Sequence, residues 1–242
     1  MIEIGFKSDK GIRRKNNEDA FFVIPEQNVY LVADGVGGNN AGEIASRTTA
    51  DNIAEYVRNN PIHESYMEAE LKDYFLICLN HVNKKIYELS QKHLENIGMA
   101  TTIAIVYVAG NNAYVVNVGD SRVYLHRKGS LTQITEDHTY VNALIKRGAI
   151  TKEQARFHEK RNVITRAIGG EKAIKPDFFR VEVRQNDIIL LCTDGLCGEV
   201  DDEMICRILS RGESMSQTST NLVGKANQCG GHDNITVICL KT

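Results

Sequence analysis

The stretch "ATTIAIVYVAGNNAYVVNVGDSRVYLHRKGSLTQIT" (residues 100–135) decides the fold class of this 242-residue chain. β-Branched and aromatic residues alternate along it, as they do in strands that form a pleated, half-buried sheet. Turn residues interrupt the alternation at 110–112 and again at 128–129. The pattern therefore predicts an antiparallel meander of consecutive strands.

The flanking sequence places strands in runs and helices in runs, without a regular alternation of the two. Strands are predicted over residues 2–7, 19–24, 28–33, 178–183, 187–193 and 234–240, the second and third joined as a hairpin by "PEQN". Apolar residues at helical spacing predict helices over 41–58, 65–94, 201–210 and 214–227. This order favours antiparallel sheets covered by helices over a doubly wound fold. Neither a repeat nor a linker interrupts it, so we expect a single domain over residues 1–242.

The region from 138 to about 160 is more polar than its surroundings. It contains a short helical pattern followed by "RGAITKEQAR" (residues 147–156), with too few apolar residues to contribute to a core. We expect a surface segment here, either a simple exposed loop or a flap that gates or selects a ligand.

Composition excludes several classes of protein. The 29 basic and 31 acidic residues nearly balance, so the chain lacks the basic surface that nucleic-acid binding requires. The N-terminal stretch "MIEIGFKSDK" has no apolar core of signal-peptide length, and no stretch of the chain approaches the length of a membrane span. We expect a cytoplasmic protein that neither binds nucleic acid nor inserts into a membrane. Its six cysteines form no Cys-x-x-Cys pair and are predicted to be reduced core residues.

Acidic residues stand where predicted strands begin or end, namely Glu18, Asp19, Asp34, Asp120, Asp194 and Asp233. Any one of them alone is typical of an ordinary turn. Gathered together, several carboxylates would repel one another unless cations neutralised them. Carboxylate oxygens without nearby cysteine or paired histidine ligands suit hard divalent ions such as Mg²⁺ or Mn²⁺.

Two of these acids are followed by glycine, in "ADGVGG" (33–38) and "TDGLCG" (193–198). A glycine leaves its carbonyl unhindered by a side chain and permits a tight turn that a β-carbon would forbid. We therefore expect two Asp-Gly corners that face each other across a metal site.

Six motifs occur in an order that resembles one known family. They are "RRKNNED" (13–19), "ADGVGG" (33–38), "GDSR" (119–122), "RNVITRAIGG" (161–170), "TDGLCG" (193–198) and "DNITV" (233–237). This order is similar to that of the metal-dependent serine/threonine protein phosphatases of the PP2C (PPM) family, bacterial single-domain type. The resemblance implies an α+β fold, a four-layer α-β-β-α sandwich of two mainly antiparallel sheets flanked by helix pairs. It also implies a two-metal centre at one end of the sandwich.

The resemblance implies a ligand set for two Mn²⁺ or Mg²⁺ ions. By motif, Asp34 would bridge both ions, and Asp194 and Asp233 would bind one of them. Glu18 and the carbonyl of Gly35 would reach the other ion, largely through water.

Further residues match the same motifs. Asp120 and Asp194 would hold a third, more weakly bound ion. Asp19 and Asn234 would support the ligands from behind. Arg14 would grip the phosphoryl group, since a guanidinium fork suits a tetrahedral oxyanion.

Two positions depart from many eukaryotic relatives. Val36 stands where those relatives carry a histidine that serves as a candidate acid for the leaving group, and Gly198 stands where they carry a further acid. We therefore assign the leaving-group proton to metal-bound water and expect a weakened third site. His138 and His232 are the nearest alternative acids, although each is more typical of a structural histidine.

The expected activity is hydrolysis of phosphoserine and phosphothreonine in proteins by a metal-activated water, in a monomer that opposes a bacterial serine/threonine kinase. A cysteine-dependent phosphatase is disfavoured because no cysteine has an arginine six residues later. Two alternatives stay open: a metal-dependent phosphoesterase for nucleotides or other small molecules, and a catalytically inactive module that binds phosphoproteins.

Overall fold

Eleven strands and seven α-helices follow one another in a computed structural model that describes residues 2–38, 41–92 and 94–242. The strands are β1 (Glu3–Asp9), β2 (Asp19–Ile24), β3 (Val29–Val36), β4 (Ala100–Thr101), β5 (Ile103–Ala109), β6 (Asn112–Val118), β7 (Arg122–Arg127), β8 (Ser130–Gln133), β9 (Asp177–Glu182), β10 (Ile188–Cys192) and β11 (Ile235–Lys241). The helices are α1 (Ala41–Asn59), α2 (Glu68–Lys92), α3 (Tyr140–Lys146), α4 (Lys152–Arg156), α5 (Asp194–Cys197), α6 (Asp202–Leu209) and α7 (Met215–Cys229).

The strands form two sheets. Sheet I has the order β1-β11-β10-β7-β8, and sheet II has the order β2-β3-β5-β6-β9 with the short β4 paired to β3. Every one of these strand pairs is antiparallel. The predicted β2-β3 hairpin is present, with a 3-10 turn over Pro25–Gln27.

Three apolar layers hold the sandwich together. The inner faces of the two sheets pack on each other through residues that include Tyr30, Val32, Val106, Val123, Leu191 and Ile238. Helices α1 and α2 cover the outer face of sheet II, and α6 and α7 cover the outer face of sheet I. Because the central strands are covered on both faces, β5 and β10 consist of nearly continuous apolar residues. The predicted four-layer α-β-β-α sandwich is confirmed.

The covering helices follow from the spacing of their apolar residues. In α1, every fourth residue from Ala41 through Ala45 to Val57 is buried, which gives the helix one stripe toward sheet II. The side chains of Asp201 and Ser214 cap α6 and α7 at the positions where those helices were expected to begin. Helix α2 is shorter than the predicted 65–94, and position 93 lies outside the described residues.

The prediction of one continuous meander over residues 100–135 was wrong. β5 and β6 form a hairpin in sheet II, whereas β7 and β8 form a hairpin in sheet I. The chain crosses between the sheets at 119–121, where Gly119 has φ +109° and an added Cβ would lie 2.5 Å from Cβ of Thr102. Alternation along a strand indicates its buried faces but not the sheet it joins, so a local pattern did not reveal this crossing.

The prediction that all six cysteines are core residues was also wrong. Cys78, Cys192 and Cys239 are buried, but two others are partly exposed and Cys229 is exposed. The exposed Cys229 ends α7, where no second layer covers it. All six are free thiols.

The polar segment between β8 and β9 carries α3 and α4 and is closed at its base. The His138 N–H donates to the Gly119 carbonyl (3.0 Å), and the Thr165 N–H donates to the His138 carbonyl (2.7 Å). Thr139 and Ile164 form an antiparallel bridge between the two ends. We call residues 138–165 the α3–α4 segment.

No helix within residues 2–38, 41–92 and 94–242 is both long enough and apolar enough to cross a membrane.

Candidate metal centre

The predicted acids meet at one end of the sandwich because four strand ends meet there. Asp34 lies near the end of β3 and pairs directly with Asp19, the first residue of β2. In sheet I, β10 ends just before Asp194, and β11 begins just after Asp233. Thr193 and Thr236 continue the β10-β11 ladder at this end, where the Thr193 N–H donates to the Thr236 carbonyl (3.0 Å).

The backbone of Asp34 is fixed on both sides by threonines. Its N–H donates to Thr102 Oγ1 (3.0 Å), and its carbonyl accepts from the Thr102 N–H (2.9 Å) and from Thr101 Oγ1 (2.8 Å). Both threonines are buried. Asp34 is therefore held in an extended strand, with its carboxyl group free for other partners.

Unlike Asp34, which lies in a strand, Asp194 is the first residue of the short helix α5. Its carbonyl accepts a hydrogen bond of 2.7 Å from the Gly198 N–H, which closes the helical turn. The preceding Thr193 is buried, donates its hydroxyl to Asp19 Oδ2 (2.9 Å) and accepts the Thr236 N–H (3.0 Å). This hydroxyl links Asp19 to both strands, and the sequence pattern did not single it out.

The glycines after the two acids allow close packing, not a tight turn. An added Cβ at Gly35 would lie 2.0 Å from the Gly42 carbonyl oxygen, and one at Gly195 would lie 2.0 Å from the Asn234 carbonyl oxygen. Neither glycine has a positive φ. The expectation that these glycines permit tight turns was therefore wrong, and the smallest side chain is required because backbones cross here.

Glu18 and the Gly35 carbonyl lie together beside the start of α1. An added Cβ at Gly42 would lie 2.4 Å from Glu18 Oε2 and 2.7 Å from the Gly35 carbonyl oxygen. The two oxygens are therefore within about 5 Å of each other, on either side of a space that a side chain would fill. Asn234 Oδ1 accepts the Glu18 N–H (2.8 Å), and its Nδ2 donates to the carbonyls of Lys10 and Asn16. Asn234 thus fastens the Glu18 loop to the start of β11.

The acids at the centre stabilise one another's protonated forms. Burial raises the pKa of Asp34 well above its ordinary value, and the charges of Asp194, Asp19 and Asp120 raise it further. Burial, followed by the charge of Asp233, also raises the pKa of Asp194. Such mutual elevation is the signature of desolvated carboxylates without enough neighbouring positive charge.

Two further acids belong to the same cluster. Burial, opposed by hydrogen bonds from Thr236 and Thr193 and reinforced by the charges of Asp194 and Asp233, raises the pKa of Asp19 to about 7. Burial, together with the charge of Asp194, raises the pKa of Asp120 to about 7.

The donor set fits a hard divalent cation. Oδ1 of Asp194 and Oδ1 of Asp19 are buried and have no hydrogen-bond partner, so neither carboxylate is satisfied by the protein alone. The converging ligand atoms are carboxylate and carbonyl oxygens, which Mg²⁺ and Mn²⁺ prefer. A bound cation would both satisfy these oxygens and lower the pKa values of the acids.

The protein does not by itself arrange the acids as a closed cage. Among the residues that the structure describes, no three or more His, Cys, Asp or Glu side chains are grouped as a ready metal site. The outer acid Asp233 is engaged elsewhere: its Oδ2 accepts from Arg14 Nη2 (2.6 Å), and its Oδ1 accepts from the Asn234 N–H (2.8 Å). Glu18 Oε1 accepts from Asn16 Nδ2 (3.0 Å).

Arg14 lies at the mouth of the acid cluster. Its side chain is 49% exposed, and its charged neighbours are Asp233, Asp34 and Glu18. A half-exposed guanidinium over buried carboxylates can exchange its carboxylate partner for an oxyanion that approaches from solvent.

The ring nitrogens of the two histidines considered from the sequence contact residues other than the acids of the cluster. The buried His138 accepts the Gly119 N–H at Nδ1 (3.0 Å), and its Nε2 lies 3.0 Å from Asp177 Oδ2, so both ring nitrogens are occupied. His138 thereby fixes the turn that carries Asp120. His232 is exposed, and its Nδ1 lies 2.7 Å from Glu199 Oε1.

A polar cleft of about 550 Å³ opens from the acids toward the α3–α4 segment. Asp120 and Asp194 form its inner wall, and Lys152, Arg156 and Arg161 lie on the segment's side. Arg122 is held in this cleft by Asp137, at 2.6 Å.

Comparison with known proteins gives one consistent result. A family model described as "Protein phosphatase 2C" matches residues 11–227. The serine/threonine phosphatase stp of Listeria monocytogenes serotype 4b is 34% identical over 239 residues, which cover 98% of this chain and 94% of that protein.

Solved structures agree with the sequence matches. The serine/threonine phosphatase of S. agalactiae superposes with a TM-score of 0.93 at 33% identity, over 100% of both chains. The catalytic domain of the serine/threonine protein phosphatase PstP, solved in complex with two manganese ions, superposes with a TM-score of 0.86 at 34% identity, over 99% of this chain and 97% of that one.

Proposed function

The chain belongs to the protein phosphatase 2C family, and from that premise we propose that it hydrolyses phosphoserine and phosphothreonine in proteins with the help of divalent metal ions. One observation carries the proposal: the charge of Asp194 raises the pKa of the Asp34 carboxyl group, Oδ1 of Asp194 is buried without a hydrogen-bond partner, and the half-exposed guanidinium of Arg14 has Asp34 among its charged neighbours. Buried acids below a reachable arginine suit a cation site that receives an oxyanion.

The residues divide into ligands and supports. We assign Asp34, Asp194 and Asp233, with Glu18 and the Gly35 carbonyl, as the oxygen donors for two Mn²⁺ or Mg²⁺ ions. When bound, two such ions neutralise the carboxylates, polarise the phosphoryl group and lower the pKa of a water molecule. Asp233 must then leave Arg14, which frees the guanidinium.

Arg14 binds and orients the substrate in this proposal. Its guanidinium presents two parallel N–H groups to two phosphoryl oxygens, a geometry that a lysine cannot reproduce. Holding the phosphoryl group in line with the attacking water supplies part of the acceleration, since positioning alone contributes roughly 7 to 11 kcal/mol.

Other residues hold the ligands in place. Asp19 is fixed by the Thr193 hydroxyl behind Asp194, and Asn234 fastens the loop that carries Glu18. Asp120, with Asp194, is proposed to hold a third and weaker ion, and the α3–α4 segment is proposed to act as a flap beside the polar cleft. The cognate kinase, the monomeric state and the cytoplasmic location stay predictions from the sequence.

The two alternatives make different predictions about turnover. A small-molecule phosphoesterase would hydrolyse a nucleotide faster than a phosphopeptide, and an inactive binding module would hydrolyse neither. The acids of the centre are all retained, which favours an active enzyme over a binding module.

The experiment that tests the proposal is hydrolysis of a phosphothreonine peptide by EDTA-treated protein, with and without added Mn²⁺. We expect activity only with the metal, loss of that activity in Asp194→Asn, and slower hydrolysis of a nucleotide. Metal-independent hydrolysis, or full activity in Asp194→Asn, would contradict the proposed centre.

A further inference from the structure

A second cavity lies beside the metal centre and differs from the polar cleft in its chemistry. This groove has a volume of about 490 Å³ and is lined by aliphatic side chains that include Val36, Ala100, Val118, Ile164, Ala167 and Ile174. The polar cleft is similar in size but is lined mainly by charged and hydrogen-bonding residues. We call the second cavity the aliphatic groove.

Two residues of the aliphatic groove lie close to acids of the centre along the chain. Val36 lies two residues beyond Asp34 in β3, and alternation along the strand places both side chains on the same face. Val36 is 43% exposed and pairs with Ala100 across the β3-β4 ladder. Val118, the last residue of β6, precedes Asp120 by two residues. These two positions place the groove beside the acid cluster.

The outer wall of the groove is held by a buried asparagine. Asn83 of α2 is 1% exposed; its Oδ1 accepts the Gly169 N–H (2.7 Å), and its Nδ2 donates to the carbonyls of Glu171 (2.9 Å) and Lys172 (3.2 Å). Ile168 is also bonded to Thr101 through both backbone groups, at 3.0 and 2.8 Å. A wall fixed in this way is preformed, so little ordering cost accompanies binding there.

Charged side chains lie at the rim of the groove. Arg166, Glu171 and Lys175 contribute to its lining, and Arg166 Nη1 is bonded to Asp177 Oδ1 (2.8 Å) and to the Lys175 carbonyl (3.2 Å). Glu171 and Lys175 are exposed, with opposite charges. The aliphatic part of the groove therefore suits an uncharged aliphatic group.

We propose that the aliphatic groove is a specificity subsite that receives the aliphatic side chain of a residue next to the phosphorylated residue of a peptide substrate. This inference rests on the proposed function. When the phosphate lies at the acid cluster, the part of the substrate that can reach Val36 is the adjacent residue, because one extended residue spans about 3.3 to 3.6 Å. Burial of its side chain against preformed aliphatic walls stabilises the bound peptide.

The test compares phosphothreonine peptides that differ only in the residues flanking the phosphothreonine, leucine in one and serine in the other. We expect kcat/KM to be about 10-fold higher for the leucine peptide, the usual effect of filling an apolar pocket. p-Nitrophenyl phosphate, which has no flanking residues, is measured in parallel. Dividing each peptide's kcat/KM by that of p-nitrophenyl phosphate removes effects of a variant on the hydrolytic step itself.

Two variants locate the preference in the groove. Ala173→Asp places a charge at an exposed position of its lining, and Val36→Thr replaces one methyl group by a hydroxyl without changing shape. We expect the leucine-to-serine ratio to fall to near one in Ala173→Asp and to fall partly in Val36→Thr. Ala69→Asp, at an exposed alanine of α2 that lines neither cavity, is the matched control and should keep the wild-type ratio.

The outcomes separate the two claims. If the wild-type protein hydrolyses p-nitrophenyl phosphate and both peptides with equal kcat/KM, the subsite is overturned and the proposed function stands. A leucine preference that survives Ala173→Asp unchanged also overturns the subsite. If none of the three phosphoesters is hydrolysed in the presence of Mn²⁺, the proposed function fails and the subsite fails with it.

Discussion

The Asp34-Gly35 and Asp194-Gly195 corners have the same dipeptide and the same steric requirement but different backbones. In both, an added Cβ on the glycine would lie 2.0 Å from a carbonyl oxygen of another segment. Yet Asp34 lies inside a strand, whereas Asp194 is the first residue of a helix. The comparison shows that Asp-Gly here marks an acid at a point where two backbones cross, whatever the local secondary structure.

The two acids also differ in their charged surroundings. The charges of Asp194, Asp19 and Asp120 add to burial in raising the pKa of Asp34, and Arg14 also lies near this acid. The pKa of Asp194 is raised by burial and by Asp233 but lowered by Arg14 and Arg122. Neighbouring acids therefore oppose ionisation of Asp34 more strongly than that of Asp194, and a bound cation would oppose both shifts.

The largest expected effect is the loss of activity when either acid is neutralised. Asp34→Asn and Asp194→Asn should each lower kcat/KM by at least about 10³-fold, because several kcal/mol of metal-derived charge stabilisation are lost and each 1.36 kcal/mol is a factor of ten. The two variants should also differ from each other in the free energy of unfolding of the EDTA-treated proteins at pH 8.

At that pH, Asp34→Asn should raise the free energy of unfolding more than Asp194→Asn, since three neighbouring acids raise the pKa of Asp34 whereas Arg14 and Arg122 lower that of Asp194. Urea unfolding measures this difference. Equal stabilisation by both variants would contradict the electrostatic distinction between the corners.

The next effect concerns the glycines. Gly35→Ala and Gly195→Ala should each cost about 1–3 kcal/mol or more of folding stability, because the new methyl group would overlap a backbone carbonyl that cannot move freely. Gly224→Ala is the matched control: it lies within α7, and an added Cβ there has no neighbour within 4 Å. That control should gain up to about 1 kcal/mol. If Gly35→Ala or Gly195→Ala were as stable as the wild type, the crossing of backbones would not be the constraint.

A smaller effect is expected from the threonines that hold the corners. Thr193→Val keeps the shape but removes the hydroxyl that binds Asp19 and the Thr236 N–H, whereas Thr102→Val removes one acceptor of the Asp34 N–H. We expect Thr193→Val to weaken Mn²⁺ binding by about 10- to 100-fold, the usual cost of losing a group that orients a ligand. Thr102→Val should weaken it less, because Thr101 still holds the Asp34 carbonyl. Calorimetric titration with Mn²⁺ tests this order, and the reverse order would contradict it.

The smallest effect concerns the third acid, Asp120, where the glycine precedes the acid and does require a positive φ. His138→Asn retains a side-chain acceptor near the position of Nδ1 for the Gly119 N–H, whereas His138→Gln extends it too far. We expect His138→Asn to keep most of the activity and His138→Gln to lose more. Equal loss in both variants would show that the contact with Gly119 is not what matters.

Protonation of His138 makes the free energy of unfolding depend on pH. Burial is the largest cause that lowers the pKa of His138, with Asp177 opposing it and Arg166 and Lys146 reinforcing it. The folded state therefore takes up its proton at a lower pH than the unfolded state. Its contribution to stability is complete above about pH 6.5 and decreases as the pH falls through the folded-state pKa. The unfolding free energy of His138→Asn should depend less steeply on pH between 7 and 5, and an unchanged slope would contradict this account.

The parts of the fold that depend on local pattern were predictable. Helices α1, α6 and α7 lie within two residues of their predicted bounds, because a stripe of apolar residues repeats along each of them. The division of residues 100–135 between two sheets was not predictable, because strand pairing depends on partners such as β9 and β10 that lie far away in sequence. The crossing at Gly119 is a consequence of that distant pairing.

The candidate site was predictable to a similar extent. The acids were indicated because each stands near a strand end, and Arg14 was indicated by the motif "RRKNNED" that resembles the family. The motifs did not reveal that Arg14 binds Asp233, nor that Thr193 and Thr102 hold the corners, since hydroxyl contacts leave no periodic pattern. The aliphatic groove escaped prediction for the same reason, because its walls come from four separate segments.

We propose that Asp34 and Asp194, two similar corners on different backbones, together hold a pair of divalent ions between the sheets. Calorimetric titration of the EDTA-treated protein with Mn²⁺ counts these ions, with Asp120→Asn as the matched acid variant outside the pair. We expect two tightly bound ions in the wild type and in Asp120→Asn, which should lose only the weaker third ion, and the loss of at least one tightly bound ion in Asp34→Asn. Two ions bound by Asp34→Asn with wild-type affinity would contradict it.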